Sequence, residues 1–275
     1  MSLLEKVTSS RRMRPPRILL LGTEKVGKST FAADMQKPVF LPVEREEGID
    51  DVNAMAFPVA RSYQDAMNST FALINEQHEF KTFVIDSAST LNPLIIKQAM
   101  ENQSVESEAK LSGGYGHQYD EPLEMWTSLM RNCDLLRDKG MASVLIGHVK
   151  AKRFDDPING GYTRYDIDLP EKISQAIYRW VDVILFANWE VYTVKEDTGF
   201  NKEHSRGIGS GTRKLFTQRR PSHPGGGRGV YGRLPYEMPF NYSDFMAAVR
   251  EQLRIEKEQA IAKEVGEPTA EAAVA

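Results

Sequence analysis

Residues 22–30 read Gly-Thr-Glu-Lys-Val-Gly-Lys-Ser-Thr: a glycine, four residues, then Gly27-Lys28-Ser29. That spacing builds a loop whose successive backbone N–H groups converge on phosphate oxygens. Gly22, Thr23, Glu24, Lys25, Val26, Gly27, Lys28, Ser29 and Thr30 form the candidate cradle. Lys28 would reach the β- and γ-phosphates, and the Ser29 hydroxyl would ligate Mg2+. The plainer alternative is a strand-to-helix turn that is merely Gly-rich. An apolar run before the loop and a helical pattern after it favour the phosphate reading, with ATP and Mg2+ as the expected cofactors.

Three further polar residues stand where such a loop needs them. Asp86 ends the apolar run Phe83-Val-Ile-Asp86. A parallel strand beside the loop would deliver that carboxylate to the metal, often through water, whereas an ordinary Asp there only caps the next turn. Glu44 ends another run and precedes Arg45-Glu46-Glu47-Gly48. It is the candidate base for the water that attacks the γ-phosphate, with Glu46 and Glu47 as close rivals and a solvated acidic turn as the alternative. His148 follows the run Ala142–Gly147 and is the candidate γ-phosphate sensor, or else a satisfied structural histidine. Lys28, Glu44 and His148 are thus the candidate catalytic residues.

These residues need strands to hold them. Apolar runs at Arg17–Leu21, Pro38–Val43, Lys81–Asp86, Ala142–Gly147 and Val181–Ala187 alternate with helical patterns at Lys28–Gln36, Ser62–Glu79, Leu91–Met100, Glu121–Asp138 and Pro170–Arg179. Such alternation predicts an α/β fold, a mostly parallel sheet flanked by helices. Glu101–Gln118 and Lys150–Leu169 read as irregular loops. Beyond Ala187 the pattern changes to a β-hairpin, Trp189–Lys195 and Arg213–Gln218 around the polar loop Glu196–Thr212, and then a terminal helix, Tyr242–Ala262. The division is a flexible basic arm at 1–16, an ATPase domain at 17–240, and a C-terminal helix with a disordered tail at 241–275.

Composition narrows the class. A net charge of −3 over 275 residues excludes a globally basic nucleic-acid coat but not a local basic patch. The single cysteine, Cys133, cannot form an internal disulfide and sits in a helical pattern, so it reads as a buried thiol. A reducing, cytoplasmic setting is expected. No apolar run approaches the ~20 residues of a membrane helix, and the N-terminus lacks a signal-peptide core. After the fourth strand, Lys150, Lys152 and Arg153 interleave with Tyr162 and Tyr165. That mixture suits phosphate contacts and base stacking on a single strand, and equally suits a solvated loop.

The ordered series Gly22–Ser29, the Glu44 turn, Phe83–Ser87, Gly113–Gly116, Ile146–Val149, Lys152–Pro157, Trp180–Phe186 and Tyr231–Pro235 resembles a RecA-like P-loop NTPase core. More narrowly, it is similar to the phage AAA-type ATP-binding proteins that include Sak-type single-strand annealing proteins. The resemblance spans about residues 17–245. It implies an ATP hydrolase acting in DNA recombination in the cytoplasm of a bacteriophage-infected cell, assembled as a ring or filament. A single-strand-binding protein is a candidate partner and DNA-stimulated hydrolysis is expected. It also implies that Glu101–Gln118 and Lys150–Leu169 line a single-stranded DNA channel. Where the family carries a run like Ala-Lys-Asn-Arg, this chain has Gly225-Gly-Gly-Arg228, so Arg228 is the candidate interfacial finger, with Arg219, Arg220 and Arg233 as competitors. Two other readings remain: a nucleotide-dependent switch or loader acting on a protein partner, and a small-molecule P-loop kinase, disfavoured by the C-terminal hairpin and the lack of an Arg-rich lid.

Overall fold

Five of the six residues of β1 (Arg17–Gly22) are buried, as an apolar strand covered on both faces must be. Successive side chains on such a strand point to opposite faces, and here they enter two separate clusters. Leu19 and Leu21 pack with Leu73, Leu91, Trp126 and Ile173, while Ile18 and Leu20 pack with Phe31, Phe245 and Val249. In the computed structural model the described residues are 14–44, 49–114, 116–156, 158, 160–197 and 203–265, without the side chains of 192–208 and 263–265.

The first cluster is covered by α2 (Tyr63–Asn75), α3 (Ala88–Gln103), α4 (Asp120–Asp138) and α5 (Glu171–Trp180). The second lies under α1 (Lys28–Ala33) and α6 (Tyr242–Val265). Trp126 is fully buried and donates its indole N–H to Asn92 Oδ1 at 3.0 Å, so no buried donor is left unpaired there. Ser62 caps α2 by accepting from the Asp65 N–H. Ser87 caps α3, which therefore starts directly after Asp86 and three residues earlier than the apolar pattern indicated.

The remaining strands are β2 (Pro38–Pro42), β3 (Met55–Ala56), β4 (Thr82–Asp86), β5 (Ala142–Asp156), β6 (Gly160–Ile167), β7 (Val183–Asp197), β8 (Glu203–Phe216), β9 (Gly226–Gly227) and β10 (Glu237–Pro239). They order as β10-β8-β7-β1-β5-β4-β2-β3. Pairing is parallel from β7 to β3 and antiparallel at β7–β8–β10. This is the expected α/β architecture, a mostly parallel sheet flanked by helices with a C-terminal β-hairpin and terminal helix. One strand, β5, separates β1 from β4. Register pairs Gly22 with His148, Ile146 with Asp86, and Asp86 with Pro42, which brings these strand ends to one edge of the sheet.

Several sequence expectations are corrected. Lys150–Leu169 is not irregular: β5 continues to Asp156 and turns back as β6, an antiparallel hairpin with Lys152 opposite Arg164 and Phe154 opposite Tyr162. Its apolar residues gather at the base (Val149, Tyr165, Ile167) and in the Phe154–Tyr162 pair while charged residues fill the rest, so the regular apolar alternation that marks a half-buried strand is missing. The fifth strand and the first hairpin arm are one continuous strand, β7, and most of the expected polar loop Glu196–Thr212 is β8. The expected loop Glu101–Gln118 contains the end of α3 and a 3-10 turn at Glu108–Gly113.

The opposite edge of the sheet is closed by charge. The Arg17 guanidinium bridges Asp134 at 2.9 Å and Asp182 at 3.0 Å, and Arg137 reaches Asp182 at 3.0 Å. Of the basic arm, only residues 14–16 are described; Arg14 pairs with Asp138 at 3.1 Å, and the Pro15 carbonyl accepts from Arg137 Nε at 2.8 Å. The tail 266–275 lies outside the described residues. No helix among the described residues is long and apolar enough to cross a membrane. Cys133 is buried, and desolvation pushes its thiol up to about 12, as befits a structural residue.

Candidate functional site

β1 runs directly into the loop. Gly22 has no room for a side chain, because a Cβ there would sit 2.7 Å from the Ala187 carbonyl oxygen on β7. Lys25 (φ 56°) and Gly27 (φ 101°) are left-handed, which curls the loop so that consecutive N–H groups can face inward. Lys28 is buried and folds back over the loop, donating to the carbonyls of Gly22 at 3.1 Å and Thr23 at 2.9 Å. Thr23 Oγ1 donates to Asn188 Oδ1 at 3.2 Å, tying the loop's first turn to β7.

Ser29, the next residue of α1, donates from Oγ to Asp86 Oδ2 at 2.6 Å. Asp86 is 5% exposed and ends β4. A hydroxyl and a carboxylate so close, beside a phosphate loop, are hard oxygen donors of the kind Mg2+ takes while keeping waters and phosphate oxygens in its shell. The donor set fits that ion. Among the described residues no group of three or more Asp, Glu, His or Cys side chains is placed to hold a metal ion. Lys28, Ser29 and Asp86 line a cavity of about 710 Å3, within the range of small-molecule sites. An AAA domain family matches residues 14–229, well over half of the chain. The chain belongs to this AAA-domain family. Among solved structures, that of the RadB recombinase is similar at 14% identity over 74% of this chain and 87% of that one, with a TM-score of 0.38. No curated protein matches this chain.

His148 also lines the cavity of this AAA domain, and its backbone N–H donates to Ser89 Oγ at 3.1 Å. Glu44 stands in the turn two residues past Pro42, held by its N–H to the Ala60 carbonyl at 3.0 Å. It is half-buried and is not among the described residues that line the cavity. Glu46 and Glu47 lie outside the described residues. Sequence reasoning missed Asp51, Ser89, Thr90 and Asp168, all of which line the cavity. Ser89 and Thr90 follow the Asp86 strand end so closely that its turn pointed to them. Asp51 and Asp168 carry no such signal, since only the folding of later segments brings them there.

The candidate nucleic-acid residues separate on the β5–β6 hairpin. Lys150, Lys152 and Arg153 are exposed, but each has an acidic partner: Asp168 at 2.6 Å, Glu171 at 3.8 Å and Asp155 at 3.2 Å. Tyr162 packs at 5.4 Å from the Phe154 ring, which in turn lies under the Arg164 guanidinium. Tyr165 lies lower on the hairpin, its ring 5.4 Å from buried Phe186, and is engaged with the core. Asp168 and Val149, one from each base of the hairpin, line the same cavity as Lys28 and Ser29, so hairpin and cavity are contiguous.

Arg228 is far from that cavity in its own chain. It follows β9, which pairs with the first residues of β7, and its backbone N–H donates to the Asp182 carbonyl at 2.8 Å. The phosphate loop leaves the other end of β1, about 20 Å away along a strand of this length. The Arg228 guanidinium donates to the Arg179 carbonyl and lies 3.9 Å from Asp182. Among its competitors, Arg220 sits over the Tyr236 ring at 3.9 Å and Arg233 pairs with Glu256 at 3.3 Å.

Proposed function

We propose that this AAA-domain protein binds ATP with Mg2+ in the loop cavity, hydrolyses it, and couples the cycle to a recombination-type activity on single-stranded DNA, annealing or strand pairing. The observation that carries the nucleotide reading is the Ser29–Asp86 contact beside Lys28 in one cavity. On binding, Lys28 exchanges the carbonyls of Gly22 and Thr23 for β- and γ-phosphate oxygens. Ser29 and Asp86 would hold Mg2+, which would supply positive charge to offset that developing between those phosphates. Glu44 takes a proton from water as its oxygen attacks the γ-phosphorus and the bond to ADP breaks, leaving ADP and inorganic phosphate. His148, midway along β5 where that strand leaves β1 and begins to pair with β6, reads the phosphate's presence into the hairpin that begins beside it.

DNA enters through the β5–β6 hairpin. The ion pairs of Lys150, Lys152 and Arg153 are exposed and individually weak, so DNA phosphates can replace their acidic partners. Tyr162 remains for base stacking. One hairpin offers few contacts, so binding calls for several subunits along the strand, in a ring or filament. Arg228 on the far edge serves a neighbour's cavity in such an assembly rather than its own.

The same pairing favours a second reading. Because each hairpin cation already has an acid beside it, the surface could instead meet a protein partner under nucleotide control. The experiment that separates the two is the ATP hydrolysis rate with and without single-stranded DNA. Stimulation and salt-sensitive binding support the DNA reading, and nucleotide binding without either supports the switch.

A further inference from the structure

The C-terminal hairpin touches the phosphate loop at its crest. Arg213, on β8, donates from Nη1 to the Val26 carbonyl at 3.2 Å. A Cβ on Gly27 would meet the same Nη1 at 2.6 Å, so the guanidinium fills the space that the glycine leaves open. Arg213 is itself fixed: its carbonyl accepts from the Phe240 N–H at 3.2 Å, and its guanidinium lies 6.0 Å from the Trp189 ring centroid, the residue opposite it on β7. Phe240 in turn stacks on Phe31 of α1 at 5.1 Å.

The direction of that hydrogen bond matters. Among the described residues the only cis peptide is Asp86–Ser87, so Val26–Gly27 is trans. In a planar trans peptide the C=O and N–H point in opposite directions. Holding the Val26 carbonyl outward therefore turns the Gly27 N–H inward, to where the cradle must donate to phosphate. The Val26 side chain is fully buried, which anchors the same peptide from its other side. A charged donor on the carbonyl also polarises the peptide and strengthens the N–H as a donor.

We propose that Arg213 is a positioning residue for nucleotide binding, acting through the Val26–Gly27 peptide to preset a phosphate-binding N–H. It rests on the reading that residues 22–30 bind a nucleotide. The backbone amides of such a loop hold phosphates shared by ATP and ADP. The contribution is therefore the same in ground and transition states, and its loss raises KM without lowering kcat.

The test uses the full chain carrying Arg213→Ala, Arg213→Gln, Arg213→Lys or Lys214→Ala, with the dissociation constants of Mg-ATP and Mg-ADP, the KM and kcat of hydrolysis, and nucleotide-free melting temperatures as readouts. Arg213→Ala is expected to weaken ATP and ADP about tenfold alike, the scale of one charge-assisted hydrogen bond. kcat should stay within about twofold. Arg213→Lys should recover part of the loss, since it keeps a cationic donor. Lys214→Ala breaks the ties to Glu190 on β7 and Glu237 on β10 without touching the loop, and should bind nucleotide normally. Should the alanine variant not fold, Arg213→Gln carries the same comparison. Wild-type affinity in the Arg213 variants, or an equal loss in Lys214→Ala, overturns the proposal while leaving nucleotide binding intact. A wild-type chain that binds neither ATP nor ADP overturns both.

Discussion

Ser29 Oγ donates to Asp86 Oδ2 at 2.6 Å, although the two residues are 57 positions apart in the chain. Ser29 is the second residue of the helix after the Gly-rich loop, and Asp86 ends a strand that is not even adjacent to β1 in the sheet. Their meeting requires α1 to lie across β5. Asp86→Asn and Ser29→Ala should each raise the Mg2+ concentration needed for half-maximal hydrolysis by about tenfold or more, the scale of one lost charged interaction. Metal-free nucleotide affinity should change little. A titration of activity against Mg2+ checks this, and an unchanged midpoint in both variants removes them from the metal site.

Lys28→Ala should abolish turnover, since its ammonium is the charge placed against the loop's own carbonyls. Glu44→Gln should bind ATP yet lose about 10²-fold or more in kcat, the usual scale for a positioned base. Glu46→Gln and Glu47→Gln should lose less. Steady-state rates on the four variants decide the assignment, and a larger loss in Glu46→Gln or Glu47→Gln moves the base along the turn.

Replacing Lys150, Lys152 and Arg153 together by Ala should abolish single-strand binding measured by anisotropy at low salt. In the wild type, affinity should fall steeply with added salt as counterions are released. Because the three cations form exposed ion pairs, the triple variant should lose no more than about 1–2 kcal/mol in stability. Identical DNA binding by wild type and triple variant would shift the assignment to the protein-switch reading.

Asp182 should govern acid stability at the far edge of the sheet. Burial alone would raise its carboxyl, but hydrogen bonds from the Arg17 side chain and backbone, with the charges of Arg17 and Arg137, outweigh it and hold the group below its ordinary value. A depressed folded-state value contributes stability that is present above the unfolded value of about 4 and lost as pH falls through the folded one. Asp182→Asn should cost about 2–3 kcal/mol at pH 7, below the range for fully buried pairs because Asp134 opens the cluster to water. Its unfolding free energy should also vary less than the wild type's below about pH 4. Denaturant melts at pH 7 and pH 3 supply the comparison.

Much of this protein was legible in its sequence because the determining signals are local. The Gly22–Ser29 spacing specifies a loop whatever surrounds it, and the apolar runs at 17–21 and 83–85 specify buried strands. Asp86 could be placed at the loop's edge of the sheet because it ends an apolar strand. The hairpins were less legible: charged residues interrupt the β5–β6 strands and leave no regular apolar period, and their pairing rests on cross-strand hydrogen bonds and a few aromatic contacts. Both halves of β7 read as strands, but nothing local showed that they continue through Asn188 without a turn.

What the sequence determined by itself was the Gly-rich loop after β1 and the strand–helix alternation, both set by types and spacings within a few positions of one another. Only the tertiary structure decided that Ser29 meets Asp86, that Asp51 and Asp168 line the same cavity, that Tyr165 joins the core, and that Arg213 grips the loop from nearly 190 residues away. Those relations depend on strand order and hairpin register. Both are set by which apolar surfaces and backbone groups find partners across the whole sheet, a competition that no short window of residues records.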